Sequence, residues 1–321
     1  GVGEAALIAL GWPLFVGFQD RFEAIPDPPG RGHRLLHVGG TWPRVWAAST
    51  QGSLKIPHGD LLRWSPAGWQ RVHLLPRGVR FLGVGPYRGG VIALAEPEAE
   101  GEPPRLHAFD QQPSVIPPQQ ERSTDPGCAT RLTQPQMLTL DSGEIFLFGY
   151  GCGGTEPTVE RWDASGKHVI EALPRDASAE EETALTAFQA ASASSVFVGG
   201  SHYNATSKRQ RPWFVRFDGN TWAMESAPVT NAVKSMAVLR DGSLLVLGGA
   251  HDRIELRRRS QSGEWSAPLF QLPTQGTFRA YRMWASSIDN LWIIAEQLDA
   301  PGERTFLLLC SQPLEPIRRE P

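Results

Sequence analysis

Three residues with metal-binding side chains occupy equivalent positions in three consecutive segments of the chain. Cys152, His202 and His251 each stand two or three residues after the glycine that ends an apolar, strand-like run. A thiolate and two imidazoles are suitable ligands for zinc or copper. The same position in the other segments holds Gln51, Pro97 and Gln297. Histidine is therefore not required there by the architecture, and a metal site is one interpretation of the pattern.

The distance between neighbouring sheets limits what these three residues can do together. Face-packed β-sheets lie about 10 Å apart, so equivalent side chains begin at about that separation. Two imidazoles can bridge the gap, but a third ligand requires curvature that brings it inward. If a metal were bound, the acid–base partners would come from Glu96, Glu296 and Asp252. We favour the simpler interpretation, in which all three are polar loop residues that follow a glycine turn.

A second set of residues brings positive charge to the start of the predicted innermost strands. Its members are Arg34, Arg80 and Lys234, with Arg131 and Arg279 nearby. Converging cations at such positions would attract an anionic ligand, and the alternative is ordinary solvated charge. The predicted ligand-binding residues are Arg34, Arg80, Lys234, Gln51 and Gln297.

A third set of arginines recurs at one position of the predicted third strands. Its members are Arg63, Arg161, Arg216 and Arg258. Recurrence in several copies indicates a structural role, such as stacking on tryptophan or bonding to a turn. Two further segments, Glu96–Gly127 and Tyr203–Arg211, look unlike core sequence and are predicted to be long loops, which in compact folds are commonly functional.

All of these positions belong to a repeat of 41–57 residues in which each copy ends in a strand-like run closed by proline. The closing pairs are Ile25-Pro26, Leu75-Pro76, Ile116-Pro117, Leu173-Pro174, Ala227-Pro228 and Leu272-Pro273. A repeat of this length built from short strands is typical of a β-propeller. Second strands such as Ile145–Gly149 are apolar on both faces, as expected of a blade covered on both sides. The sequence predicts an all-β chain that forms one propeller domain over residues 1–321.

The number of blades depends on where the N-terminal strands belong. Arg21–Pro26 looks like a fourth strand without a blade, and the last blade lacks a good fourth strand of its own. We favour six blades, with the N-terminal strand pairing with the C-terminal blade to close the ring. The alternative is seven blades, with Ala5–Leu10, Pro13–Phe18 and Arg21–Ile25 forming most of an extra one.

One copy of the repeat resembles a known family. Gly199-Gly200, followed by Phe217-Asp218 and then Trp222, resembles Kelch repeats, and Gly248-Gly249 with Trp265 is a weaker match. Turns such as Asp163–Lys167 also resemble the Asp-box turns of sialidase-like propellers. The resemblance implies a propeller and carries no catalytic residue. Galactose-oxidase-like enzymes require copper-ligating tyrosines, for which only Tyr87, Tyr150, Tyr203 and Tyr281 are available. The arginine triad and Tyr–Glu pair of sialidases do not map onto this chain by motif.

The amino-acid composition bears on which partners the protein binds and on where in the cell it is located. The net charge of −3 argues against a nucleic-acid binder, and no apolar run approaches the roughly 20 residues needed to cross a bilayer. Only Lys55, Lys167, Lys208 and Lys234 are lysines, which fits a GC-rich bacterial genome. We expect an exported protein, periplasmic or on the cell surface, rather than a cytoplasmic one. Cys128 and Cys152 can pair in that case, whereas Cys310 is expected to be buried.

The function that the sequence favours is a non-enzymatic binding or scaffold protein. Its partner is expected to be a protein or another macromolecule, with an anionic small ligand as the alternative, and no cofactor is expected. The ligand is predicted to bind the face that carries the second-to-third-strand loops and the mouth of the central channel. The competing hypothesis is a zinc- or copper-dependent lyase, hydrolase or oxidase built on Cys152, His202 and His251.

Overall fold

A computed structural model shows an all-β chain of small antiparallel sheets. It describes residues 6–8, 14–17, 22–26, 34–41, 44–53, 56–79, 81–96, 105–109, 132–140, 142–151, 154–165, 167–178, 180–250, 253–271, 278–288, 290–297 and 304–310. In these residues 25 strands form seven sheets, each a simple meander of sequential strands. The chain divides into two compact units, Gly1–Ala172 and Leu173–Pro321. The predicted all-β class is confirmed.

The first unit holds four sheets. The first sheet contains β1 (Ala6–Ile8), β2 (Leu14–Gly17) and β3 (Phe22–Ile25). The second contains β4 (Arg34–Thr41), β5 (Arg44–Ser53), β6 (Ile56–Ser65) and β7 (Gly68–Arg77). The third contains β8 (Phe81–Tyr87), β9 (Gly90–Ala95) and β10 (Arg105–Phe109). The fourth contains β11 (Thr133–Thr139), β12 (Ile145–Tyr150), β13 (Pro157–Trp162) and β14 (His168–Ala172).

The second unit holds three sheets. The first contains β15 (Glu181–Ser192), β16 (Ser195–Asn204), β17 (Arg209–Phe217) and β18 (Trp222–Met224). The next contains β19 (Val233–Val238), β20 (Leu244–Ala250), β21 (Arg253–Arg259) and β22 (Phe270–Gln271). The last contains β23 (Phe278–Ser287), β24 (Asn290–Gln297) and β25 (Arg304–Cys310).

Within each unit the first strands of successive sheets lie side by side. In the first unit β4 lies against β8 and β8 against β11, and in the second unit β15 lies against β19 and β19 against β23. Hydrogen bonds join them: the Thr186 hydroxyl donates to the Val233 carbonyl, and the Met283 amide donates to the Ser235 hydroxyl at 3.0 Å. Second strands are buried along almost their whole length, as in β9 and β12. This confirms the prediction that the second strands are covered on both faces.

A β-bulge occurs near the start of six first strands. The pairing register shifts at Leu35/His37, Phe81/Gly83, Thr133/Gln136, Leu185/Ala187, Val233/Ser235 and Ala280/Arg282. A bulge adds one residue to a strand, bends it and turns a side chain away from the regular alternation. The sequence pattern did not predict this feature, because a bulge leaves no fixed residue type behind.

The Gly-Gly pairs of the second strands include positions of close backbone approach, and Gly199-Gly200 lies inside β16 rather than at its end. A Cβ on Gly200 would lie 1.8 Å from the Ala184 carbonyl oxygen, and one on Gly248 would lie 2.4 Å from that of Ala232. Real Cβ atoms do not approach oxygen so closely, so only glycine fits without a shift of the backbone. The glycines of the repeat are therefore architectural.

The six-blade arrangement that we favoured is not confirmed. The N-terminal strands form a sheet of their own, in which β3 pairs with β2, so the predicted fourth strand takes its hydrogen bonds from its neighbour in sequence. The three N-terminal strands thus share one sheet, as the seven-blade alternative expects of them. Pro26, which closes the first repeat, accepts a hydrogen bond from Trp69 Nε1 at 2.6 Å, and Pro174 accepts one from Trp213 Nε1 at 3.0 Å. Two of the predicted closing prolines are thus each held by a tryptophan of the following sheet.

Candidate functional site

A network of charged and polar side chains lies at one end of the sheet β15–β18. This end, at which the first strand of a sheet begins and its second strand ends, is called the upper end in every sheet. His202 lies near the end of β16, between Thr183 on β15 and Arg211 on β17. Its side chain is fully buried in a strand, so the interpretation of His202 as a polar loop residue after a glycine turn is wrong. Its Nε2 lies 3.1 Å from Asp176 Oδ1, and its Nδ1 lies 2.8 Å from the Thr183 hydroxyl.

Arg211 joins this histidine to the segment that leads into β15. Its Nε and Nη2 donate to the two carboxylate oxygens of Glu181, both at 3.0 Å. Its Nη1 donates to Asp176 Oδ1 at 2.8 Å, and its Nη2 also donates to the Asp176 carbonyl at 3.0 Å. A bidentate guanidinium–carboxylate pair is a strong and directional contact. Arg211 therefore ties the β16–β17 hairpin to Asp176 and Glu181.

The environment keeps His202 neutral. Burial lowers the pKa of His202, and the nearby Arg211 charge lowers it further, against the opposing effects of Asp176 and Glu181. A carboxylate can only accept a hydrogen bond, so Nε2 carries the proton and donates to Asp176. Nδ1 then accepts from the Thr183 hydroxyl. Both ring nitrogens of His202 are engaged.

The two carboxylates stay charged in this setting. The Arg211 hydrogen bonds, helped by the Ser178 amide, lower the pKa of Glu181 to about 2. Burial opposes ionisation of Asp176, but the hydrogen bond and charge of Arg211 outweigh it and lower its pKa. The same partners raise the pKa of Arg211. With His202 neutral, the cluster holds one positive and two negative charges, and its hydrogen bonds hold the hairpin in place.

The structure describes only some of the residues that were predicted to bind a metal or to act as acid–base partners. Cys152, His251 and Asp252 lie outside the described residues. As placed, His202 has no nitrogen left for a metal, since Asp176 and Thr183 occupy both. The described part of the chain holds no group of three or more side chains suited to bind a metal ion. The Cys152–His202–His251 site stays a prediction.

The predicted ligand-binding residues lie at the upper ends of their sheets where the structure describes them. Arg34 opens β4 opposite Thr50, next to Gln51 on β5, and Gln297 ends β24 opposite Phe278. These are backbone positions, because the three side chains lie outside the described part, as does all of Arg80. Lys234 is partly buried and sits at the bulge of β19. Their role in binding a ligand stays a prediction.

Sequence reasoning missed Asp176 and Glu181 and misjudged the shape of the segment that carries Arg211. Tyr203–Arg211 is not a long loop: β16 runs to Asn204 and β17 begins at Arg209, so only a four-residue turn separates them. The sequence signal was the run of cations in this segment. Asp176 comes from the preceding connection and Glu181 is the first residue of β15, and both are brought close only by the pairing of β15 with β16.

Two of the four recurring arginines, Arg63 and Arg258, contact side chains of their own sheet. The Arg63 guanidinium lies 5.8 Å from the ring centre of Trp46, its cross-strand neighbour, and donates to Gln70 at 2.9 Å. Arg258 donates to Ser243 at 3.0 Å and pairs with Asp241, which caps the turn before β20. The Asp163 turn is closed in the same way, by Oδ1 accepting from the amides of Ser165 and Lys167 at 2.9 Å.

No protein-family model and no curated protein matches the chain, but solved structures share its fold. The chain is similar to a structure from a study of two prolyl endopeptidases, with a TM-score of 0.57 and 14% identity over 98% of this chain. It covers 47% of that endopeptidase chain, about half its length. It is also similar to a protein from Lactobacillus plantarum, with a TM-score of 0.50, 10% identity and coverage of 92% and 90% of the two chains.

A third similar structure is YCF48 bound to a D1 peptide, with a TM-score of 0.49, 12% identity and coverage of 92% and 85%. At such identities a likeness concerns the fold alone. The first two likenesses show that this arrangement of small antiparallel sheets occurs in solved structures. Among the described residues there is no helix of the length and apolarity needed to cross a membrane.

Proposed function

We propose that this chain is a bacterial β-propeller that binds a protein partner with the upper ends of its sheets. The sheets form one closed ring in this proposal, and the protein is exported. Propellers bind ligands at the face where innermost strands begin, and the predicted ligand-binding residues belong to that face. The proposal concerns binding rather than catalysis.

The observation that carries the proposal is that the β16–β17 hairpin combines a hydrogen-bonded support with an exposed aromatic side chain. His202, Arg211, Asp176 and Glu181 bond to one another and hold the hairpin in place. Tyr203, next to the buried histidine, is 39% exposed. Tyrosine is enriched at protein interfaces, where it contributes a large contact area with few rotatable bonds. A rigid support beneath an exposed aromatic residue lowers the entropic cost of binding.

Charged side chains of both signs lie beside this tyrosine, because the exposed Glu182 is its cross-strand neighbour. Lys208 and Arg209 are both exposed in the turn and at its edge. Arg211 is already saturated by two carboxylates, so it is part of the support rather than the binding surface. The proposed surface is therefore Tyr203 with Lys208 and Arg209, called the hairpin surface.

The test is affinity capture from an extract of the source organism with quantitative mass spectrometry. The double variant Tyr203→Ser, Lys208→Glu changes the hairpin surface, and Leu74→Ser is the matched control, because Leu74 is also exposed but lies on the outermost strand β7. Loss of an interface residue that costs more than about 1 kcal/mol weakens binding at least about fivefold. We expect a protein retained by the wild type and by Leu74→Ser but not by the double variant. Equal retention by all three proteins would refute the proposal.

A further inference from the structure

Two histidines meet between neighbouring sheets of the first unit. His73 lies on β7 opposite Leu61, and His107 lies on β10 opposite Ala93. Leu61 and Ala93 belong to one buried cluster, so the two histidines project from the facing sides of the sheets β4–β7 and β8–β10. Each histidine side chain is partly buried, on the outermost strand of its sheet. The pair therefore lies at the outer edge of the core between these sheets.

The separation of the two rings suits a shared metal ion. Their centres lie 5.8 Å apart and their planes are inclined by 37°, so the rings are not stacked face to face. When one nitrogen of each ring binds a zinc ion at about 2.0–2.1 Å with a tetrahedral angle, the ring centres lie roughly 5 Å apart, and a wider angle places them at about 6 Å. The observed separation lies within this range, so the two strands can share an ion without a change in their spacing.

A phenylalanine packs against both rings. The ring centre of Phe109, two residues after His107 on β10, lies 5.2 Å from that of His73 and 6.3 Å from that of His107, and the Phe109 and His107 planes are inclined by only 17°. Phe109 also packs against the buried cluster between the two sheets. Side chains that are already held by packing lose less entropy when they bind a ligand.

The neighbouring charge on β7 does not oppose a cation at this position. Arg71 lies opposite Leu62, on the other face of the sheet from His73, and its Nε lies 3.0 Å from the buried Asp60 carboxylate. Imidazole is a ligand that suits zinc and copper. Each imidazole has two nitrogens, so one can bind the ion while the other keeps a hydrogen bond to the protein.

We propose that His73 and His107 together bind one divalent zinc or copper ion, with water in the remaining coordination positions. Phe109 covers one side of the pair, and the partly exposed outer edge of the sheets gives the ion access from solvent. This site uses neither Cys152, His202 nor His251, and it is independent of the proposed partner surface.

The first test titrates zinc chloride into untagged, ¹⁵N-labelled wild-type protein and follows the imidazole nitrogens by long-range ¹H–¹⁵N NMR. Zinc is diamagnetic, so the signals of bound histidines stay visible. We expect one nitrogen of His73 and one of His107 to shift along the same saturation curve, while His168, which stacks on Trp162 in the next sheet, stays unchanged. A shift of only one histidine of the pair, which would indicate an adventitious ion only, or no saturable shift of either would overturn the proposal.

The second test repeats this titration on histidine variants. Loss of a second-shell partner of a metal ligand already costs about 10–100-fold in affinity, so loss of a ligand should cost at least that much. We therefore expect His73→Gln to weaken zinc binding at His107 at least about tenfold, and His107→Gln to do the same at His73. His168→Gln is the matched control and should leave the binding of zinc to the pair unchanged. Unchanged binding at the remaining histidine of either variant would contradict the proposal, and if a variant does not fold, the wild-type titration decides alone.

Discussion

At the scale of single residues, the upper end of the sheet β15–β18 is a closed set of contacts. The sequence singled out His202 because a cysteine and a second histidine occupy matching positions in neighbouring repeats. Its actual environment depends on Asp176, Thr183 and Arg211, which contact it from the preceding connection and both neighbouring strands. The recurrence of metal-binding residue types at equivalent positions could be seen in the sequence. The hydrogen-bond partners of His202 could not, because the strand register determines which residues lie beside it.

The neutral state of His202 predicts a specific pH dependence of stability. Burial lowers the pKa of His202 in the folded protein below its ordinary value of 6.5, so the unfolded chain takes up this proton first as the pH falls. The free energy of unfolding should then decrease below pH 6.5, with a slope of at most about 1.4 kcal/mol per pH unit, until the folded pKa is reached. The carboxylates of Asp176 and Glu181 act lower, below their own ordinary values. Urea unfolding of the wild type and His202→Gln between pH 8 and pH 5 measures the difference, and parallel curves would contradict this account.

Arg211 should control both local stability and the titration of Glu181. Arg211→Gln removes the bidentate pair and is expected to cost about 1 kcal/mol of unfolding free energy, a modest value because the side chain is partly exposed. The pKa of Glu181 should rise from about 2 toward 4.5. Carboxyl ¹³C signals followed by NMR report that pKa directly. Arg209→Gln, a change on the same hairpin, is the control, and an unshifted Glu181 pKa in Arg211→Gln would be inconsistent with the network.

At the scale of elements, the sequence predicted the interiors of the sheets better than their edges. The second strands that are buried on both faces, and the glycines in them, could be predicted from the residue types in the sequence. Burial requires apolar residues, and close backbone approach requires glycine. The bulges in the first strands were not predicted, since Thr186 and Lys234 both occupy that position and share no chemistry. A bulge is set by the pairing of two strands rather than by one residue type.

Substitution of Gly200 tests most directly whether the backbones of β15 and β16 approach each other closely. In Gly200→Ala the new Cβ would meet the Ala184 carbonyl oxygen at 1.8 Å, so the β15–β16 pair must shift. We expect a loss of about 3 kcal/mol in urea unfolding, the upper part of the range for overpacking. Gly83→Ala is the comparison, because its nearest contact is the Met137 Cβ at 3.2 Å and a smaller loss is expected. Equal losses for the two variants would argue against the close approach.

At the scale of the whole molecule, the repeat predicted an all-β chain of sequential sheets but not the number of sheets. The repeat boundaries are real, as the hydrogen bonds of Trp69 to Pro26 and of Trp213 to Pro174 illustrate. The predicted pairing of β3 with the C-terminal blade is not confirmed, because a single strand can pair at either edge that geometry offers, and local alternation does not say which. In the structure β3 pairs with the preceding strand β2.

The proposed closed ring predicts the size of the molecule in solution. A single compact domain of 321 residues should have a radius of gyration of about 20 Å. Small-angle X-ray scattering on the monomer measures this value, together with the shape of the distance distribution. A single-peaked distribution near that radius is expected. A markedly larger radius with two maxima would contradict the single ring.

The most direct test of the central claim is site-specific photo-crosslinking in cells of the source organism. A photoreactive phenylalanine derivative replaces Tyr203 on the hairpin surface or, as the matched control, Met224 on β18, which is exposed to a similar degree. The account predicts a discrete crosslinked protein band at position 203 that is absent at position 224. Crosslinks of equal yield at both positions, or none at 203 while 224 reacts, would contradict the claim that this chain binds its partner through the upper ends of its sheets.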